Sequence, residues 1–170
     1  MIELVAEKLA HLRQAMRQHG LDYYLIPSVD EHFNEYVPAC WQRRAFISGF
    51  TGSVGDVIVG MEGAWLWTDS RYFLQAENQL DSSAFMLMRL GIDPSMFDFL
   101  VQKAAQKNIG FDHKLLSMQA YQQWQLRAQQ YDFSLNLLDT NLVDLIWTEQ
   151  PELPGSAIVS YDMTYAGKSV

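Results

Sequence analysis

Apolar residues in the first twenty positions recur at the period of a helix. Leu4, Val5, Leu9, Leu12 and Met16 share one face, and the spacing predicts a helix over residues 3–19, stopped by Gly20. The pattern then becomes that of extended chain. Tyr23-Tyr24-Leu25-Ile26 predicts a short buried strand, ended by Pro27. Residues 28–44 are polar and irregular apart from a few aromatics, and Ala45-Phe46-Ile47 opens an apolar patch that leads into the glycine-rich run SGFTGSVG. Two strands, 56–59 and 64–67, flank the turn Met61-Glu62-Gly63 as an antiparallel hairpin.

Further along, the pattern predicts a helix over 70–80 and a strand over 85–88. A helix follows from Asp93-Pro94-Ser95 to about Gln106, with proline in its first turn. A strand over 109–111, a helix capped by Ser117 and running to about Gln129, an alternating strand over 133–137 and a short helix over 142–147 complete the series. Strands interleaved with helices, plus one hairpin, predict an α/β domain with a mixed β-sheet flanked by helices. Pro151-Glu152-Leu153-Pro154 reads as a linker, and Ala157-Ile158-Val159 as the start of something new. The predicted organisation is one domain over 1–150, then over 151–170 a linker and the first residues of a truncated further domain.

Composition narrows the field. With 170 residues, 49% hydrophobic and 13% aromatic, the chain has enough apolar material for one globular core. A net charge of −8 argues against non-specific binding to nucleic acid and against an anionic membrane surface. No apolar run approaches the roughly 18 residues of a membrane helix. The amphipathic N-terminus resembles neither a signal nor a transit peptide. A single cysteine, Cys40, allows no internal disulfide and reads as a small buried hydrophobe. The expectation is a soluble, cytoplasmic protein.

Local motifs carry no complete catalytic constellation. SGFTGSVG has neither the spacing of a dinucleotide loop nor the Gly-Lys-Ser/Thr of a P-loop, and a strand follows it where a phosphate cradle needs a helix. It reads as a tight loop. Asp30, Glu31, His32 and Glu35 are the one local cluster of metal-ligand residue types, but they sit in a proline-bounded loop with no second histidine nearby, so no metal site is assigned. Trp41 is flanked by polar residues, which suggests an exposed contact. Arg71, at the seam between Trp67-Thr68-Asp69-Ser70 and the next helix, would stand in a first turn where the helix dipole disfavours a cation. Spacing leaves two readings open: a local pair with Asp69 or Glu77, or a guanidinium fork offered to a carboxylate or carbonyl beyond this domain.

Several stretches together resemble a known family. They are Ile26-Pro27-Ser28 followed by His32-Phe33-Asn34-Glu35-Tyr36; the run from Arg43-Arg44 through Gly55; Trp67-Thr68-Asp69-Ser70-Arg71-Tyr72-Phe73-Leu74-Gln75-Ala76; and Asn141-Leu142-Val143-Asp144-Leu145-Ile146-Trp147. Across nearly the whole chain they resemble the N-terminal, creatinase/prolidase-type domain of long-form, three-domain Xaa-Pro aminopeptidases (aminopeptidase P). The resemblance implies a ribonuclease-H-like mixed sheet and a separate C-terminal pita-bread catalytic domain. That domain holds two divalent metal ions, usually manganese, and removes N-terminal residues that precede proline. It implies that 151–170 begins a middle domain, and that this chain alone is inactive and carries no catalytic residue, metal ligand or cofactor. It further implies a proline-containing peptide substrate contacted by Arg71, a homodimeric parent, and His32, Trp41, Arg43 and Arg44 near the substrate mouth or an interface. The alternatives are the N-terminal domain of a prolidase or creatinase-like hydrolase, a stand-alone interaction module, or, more remotely, a metal-dependent nuclease suggested by the shape of the sheet.

Overall fold

The computed structural model describes residues 4–168. Residue 3 of the expected first helix, and residues 169 and 170 of the expected further domain, lie outside that range. Helix α1 (Val5–Gln18) buries Leu9, Leu12, Ala15 and Met16, the stripe its period predicts, and the Glu7 carboxylate accepts the Leu4 N–H at its start. Strand β1 (Tyr23–Ile26) follows, then a 3-10 turn (Ala39–Trp41) and α2 (Arg43–Ser48). The hairpin is β2 (Asp56–Gly60) and β3 (Ala64–Thr68), closed by Gly60 N–H on the Gly63 carbonyl. Next come α3 (Phe73–Gln79), β4 (Met86–Arg89), α4 (Met96–Lys103), β5 (Asn108–Asp112), α5 (Met118–Gln130), β6 (Ser134–Leu138) and the short α6 (Met163–Ala166). Ser95 and Ser117 accept the N–H groups of Asp98 and Ala120 and so cap α4 and α5.

The six strands lie in the order β4-β3-β2-β1-β5-β6. β2 is antiparallel to both its neighbours, and every other pairing is parallel. Alternate residues supply the two faces. Tyr24, Ile26, Val57, Val59, Ala64 and Leu66 pack with α1 and with Ile47, Phe50 and Ala76. Leu25, Ile58 and Trp67 pack with Phe99 and Leu100 of α4 and Ala128 of α5. The mixed sheet flanked by helices that the sequence predicts is therefore present, buried on both faces.

Helix α4 starts after its Ser95 cap and ends at Lys103, so Pro94 precedes the helix and does not stand in its first turn, and the helix stops short of Gln106. Two further stretches differ more from expectation. Helix α2 takes up the last two residues of the stretch read as irregular and the apolar patch Ala45-Phe46-Ile47 after it, where no helix was expected; it buries Arg43, Arg44, Ile47 and Ser48 and ends at Gly49 with φ +76°, the left-handed conformation glycine tolerates best. Residues 142–147, read as a short helix, instead form successive turns, with Asp144 N–H on the Asn141 carbonyl and Ile146 and Trp147 N–H on the Val143 carbonyl. Leu142 N–H goes to the Tyr24 hydroxyl and Val143 N–H to the Asn141 side chain, two donors at the start of the run for which a helix has no internal acceptor either. Residues 151–160 have no regular structure and are exposed.

Candidate functional site

Because only β2 runs against the others, the carboxyl ends of five strands meet at one edge of the sheet. The chain leaving β1 carries the 28–42 segment, the chain leaving β3 carries Arg71, and the glycine-rich loop enters β2 beside them. Ligands bind at such strand ends in open α/β sheets.

The loop after β1 is fixed from within. Ser28 N–H donates to the Asp56 carboxylate at 2.9 Å, and its hydroxyl donates to the Gly55 carbonyl. Asp30 is fully buried and accepts His32 N–H at 2.9 Å, Asn34 N–H at 3.1 Å and the Asn34 amide at 2.9 Å. Burial alone would raise the Asp30 carboxyl, but the bonds from Asn34 and His32 outweigh it and hold the group below the usual range. The exposed His32 ring meets the half-buried Trp41 ring edge-on, with centroids 5.5 Å apart. Trp41 lines a cavity of about 210 Å³ together with Pro27, Ser28, Tyr36, Arg44 and the loop Thr51-Gly52-Ser53.

The two adjacent arginines point inward. Arg43 Nε and Nη2 each meet an Asp144 oxygen at 2.7 Å, and Gln150 Nε2 bridges Asp144 to the Cys40 carbonyl. The fork fastens the irregular 139–150 segment to α2. Arg44 donates to the Gly52 and Gly55 carbonyls and lies 5.0 Å from the Phe50 ring, while its Nε has no hydrogen-bond partner among the described residues. Burial pushes the Arg44 guanidinium down to about 10, against the attraction of nearby Asp56. Burial likewise raises the Asp56 carboxyl, despite the Ser28 N–H and Arg44. Both arginines are thus held by internal bonds, although Arg44 still contributes to the cavity wall.

Arg71 is different. It does not stand in a helix's first turn: Tyr72 caps α3 and Arg71 precedes it, so the dipole penalty expected from the sequence does not apply. Its N–H donates to Asp69 Oδ1 at 3.0 Å. Its Nε reaches Oδ1 at 3.0 Å and Oδ2 at 3.2 Å, and its Nη2 reaches Oδ2 at 2.7 Å. The side chain is 65% exposed. Asp69, not Glu77, is its partner, since Glu77 pairs with Arg89 at 2.8 Å. The Arg71 hydrogen bonds, foremost the side-chain one, hold the Asp69 carboxyl below its usual range.

The guanidinium also lies 5.3 Å from the Tyr72 ring, and the Tyr72 hydroxyl is 2.6 Å from Ser53 Oγ. Tyr72 in turn meets Phe50 edge-on, with Gly52 between the two rings. A methyl group at Gly52 would come within 2.3 Å of Phe50 and 2.9 Å of Tyr72. The glycine loop is therefore the shelf on which the Arg71 platform rests. Tyr72 and Ser53 are the support that the sequence reading missed; the glycine at 52, beside an aromatic at 50, was the available signal.

Among the described residues no three His, Cys, Asp or Glu side chains are grouped to hold a metal ion. No helix of the described residues is long and apolar enough to cross a membrane.

Residues 8–140 match the profile of the creatinase/prolidase N-terminal domain. Human Xaa-Pro aminopeptidase 2 is 39% identical over 162 residues, which is 95% of this chain and 24% of that protein. Aminopeptidase P2 of Arabidopsis thaliana is 40% identical over 174 residues, 98% of this chain and 24% of its own. The chain spans about a quarter of the length of these curated relatives. The crystal structure of the X-prolyl aminopeptidase of Caenorhabditis elegans, described as a cytosolic enzyme with a di-nuclear active site, superposes with a TM-score of 0.91 at 36% identity, over 98% of this chain and 29% of that one. A Bacillus anthracis Xaa-Pro dipeptidase, at 21% identity and a TM-score of 0.61 over 84% of this chain and 36% of its own, shares the fold.

Proposed function

The chain belongs to the creatinase/prolidase N-terminal domain family, and from that premise we propose that it is the non-catalytic N-terminal domain of an Xaa-Pro aminopeptidase, where it helps bind and admit the peptide. The observation that carries this reading is Arg71: an exposed guanidinium, oriented by Asp69 and Tyr72, at the strand-end edge of a domain that is otherwise tightly fastened. A fork held in one orientation loses little freedom when it binds, so its donors serve a peptide backbone efficiently.

In this reading residues 1–150 are the domain, and 151–170 are a linker leading to a middle domain. The chemistry would lie outside this chain, in a catalytic domain whose two divalent ions, manganese by family resemblance, would supply Lewis-acid activation of water when bound. This chain supplies binding alone. His32 and the cavity-lining Trp41, paired ring to ring, face the substrate mouth or a partner subunit. Arg43 and Arg44 act behind them by fixing α2 and the glycine loop. We extend the reading to a homodimeric, cytoplasmic enzyme. The relative described as cytosolic supports the location, and the net charge of −8 agrees with a protein that avoids nucleic acid and anionic membrane.

The test is hydrolysis of Xaa-Pro-containing peptides by the full-length protein supplied with a divalent metal, with the isolated 170-residue chain as control. Release of the residue before proline by the full-length protein, and none by the chain alone, is the expected result. Cleavage confined to Xaa-Pro dipeptides would move the parent to the prolidases, and no cleavage of any Xaa-Pro bond would refute the reading.

A further inference from the structure

We infer that Asp69 is a specificity-determining residue that makes Arg71 a reader of neutral peptide carbonyls and not of free carboxylates. The inference rests on the proposed peptide-binding role of Arg71 and adds the chemical class of the group it meets.

A guanidinium presents its N–H donors in a rigid plane. Asp69 saturates one edge of that plane, taking Nε–H with both oxygens and one Nη2–H at 2.7 Å. The Tyr72 ring lies against the group at 5.3 Å. Nη1 makes no hydrogen bond among the described residues, so the donors left for a ligand are those of Nη1 and the outer Nη2–H, at the tip of the fork.

The charge at that tip is the deciding quantity. Arg71 and Asp69 together carry none, and the next cation along, Arg89, is itself paired with Glu77 at 2.8 Å. The whole chain carries −8. An incoming carboxylate would leave water for a site of zero net charge and would stand near the Asp69 carboxylate. A main-chain carbonyl accepts the same N–H groups without that repulsion and with far less desolvation. Asp69 remains ionised through the neutral range because Arg71 stabilises its charged form. Its Oδ1 also accepts the Arg71 backbone N–H, so it fixes the start of the side chain as well as its end.

The experiment uses the full-length protein and Xaa-Pro peptides of increasing length, each made as the C-terminal acid and as the amide. The wild type is expected to cleave acid and amide of each length with kcat/KM equal to within about twofold. Arg71→Ala is expected to lower both by about tenfold, the loss of a charged hydrogen bond. Asp69→Asn keeps an acceptor for the Arg71 N–H but removes the charge. It is expected to raise the acid-to-amide ratio at least about fivefold at low salt, with the gain fading as salt screens it. In an Arg71→Ala background the same change is expected to leave the ratio alone. Asp69→Ser, whose hydroxyl still accepts the N–H, replaces the asparagine variant if that one is less stable.

A wild-type preference for the acid at any length that Arg71→Ala abolishes would overturn the inference, as would an unchanged ratio in the folded Asp69 variants. Wild-type kinetics in Arg71→Ala on every peptide would remove the peptide-binding reading itself, and this inference with it.

Discussion

Among the described residues are two Arg–Asp forks of nearly the same geometry, each with a closest approach of 2.7 Å, and they differ in burial. In Arg43–Asp144 the side chains are 8% and 28% exposed, and in Arg71–Asp69 they are 65% and 29% exposed. Asp144→Ala deletes two charge-assisted bonds and the Gln150 contact, and leaves the Arg43 guanidinium buried without its carboxylate. Removing one partner of a deeply buried pair costs about 3–5 kcal/mol. Here the cost is smaller. Asp112 lines the same polar cavity of about 170 Å³ and offers the stranded charge a second anion. Asp144 itself is partly wet. We therefore expect a loss of about 2–3 kcal/mol, a drop in melting temperature of about 4–12 °C for a chain of this size. The assay is urea and thermal unfolding of the 170-residue chain, followed by the fluorescence of its five tryptophans. Arg71→Ala, run beside it, is expected to leave the midpoint unchanged, because exposed pairs add little to stability. A loss below about 0.5 kcal/mol for Asp144→Ala, or equal losses for both variants, would refute the assignment of one fork to the scaffold and the other to a ligand.

Other consequences are as direct. Gly52→Ala forces Phe50 or Tyr72 to move and is expected to destabilise by about 1–3 kcal/mol, read as a lower urea midpoint at unchanged slope; a wild-type midpoint would mean the shelf under Arg71 is soft. Asp30→Asn removes a carboxylate whose folded pKa is depressed, so its stabilisation is present above the unfolded value of roughly 3.9 and fades as pH falls through the folded one. The stability difference between wild type and Asp30→Asn should accordingly be constant from neutral pH to about pH 5 and shrink below about pH 4, and a difference that grows on acidification would contradict the sign.

What could be read in the sequence was whatever local periodicity or a near neighbour decides. Helix α1 and the hairpin follow from spacing alone, and Ser117 marks the start of α5 because a cap acts within one turn. Asp69 lies two residues from Arg71, and was one of two local partners the spacing allowed. Arg43 could not be read in the same way. Its partner is 101 residues away, so nothing near Arg43-Arg44 distinguishes an inward pair from an exposed one. Helix α2 was hidden because its first turn is polar in composition and buried in fact. The turns at 142–147 misled in the opposite direction: Leu142 and Val143 are fully buried and the run looks like an apolar helix, yet the N–H groups of Asp144 and Ile146 bond three residues back, and the side chains that hold the run, Tyr24 on Leu142 and Arg43 on Asp144, lie 118 and 101 residues away.

One measurement bears most directly on the claim that this domain contributes Arg71 to peptide binding. It is the steady-state kinetics of full-length wild type and Arg71→Ala on a single Xaa-Pro peptide, with melting temperatures taken on the same preparations. The expected result is a kcat/KM about tenfold lower, carried mainly by KM, with the melting temperature unchanged. Kinetics equal to wild type in a folded Arg71→Ala protein would contradict the claim and leave the Asp69–Arg71 fork as surface structure.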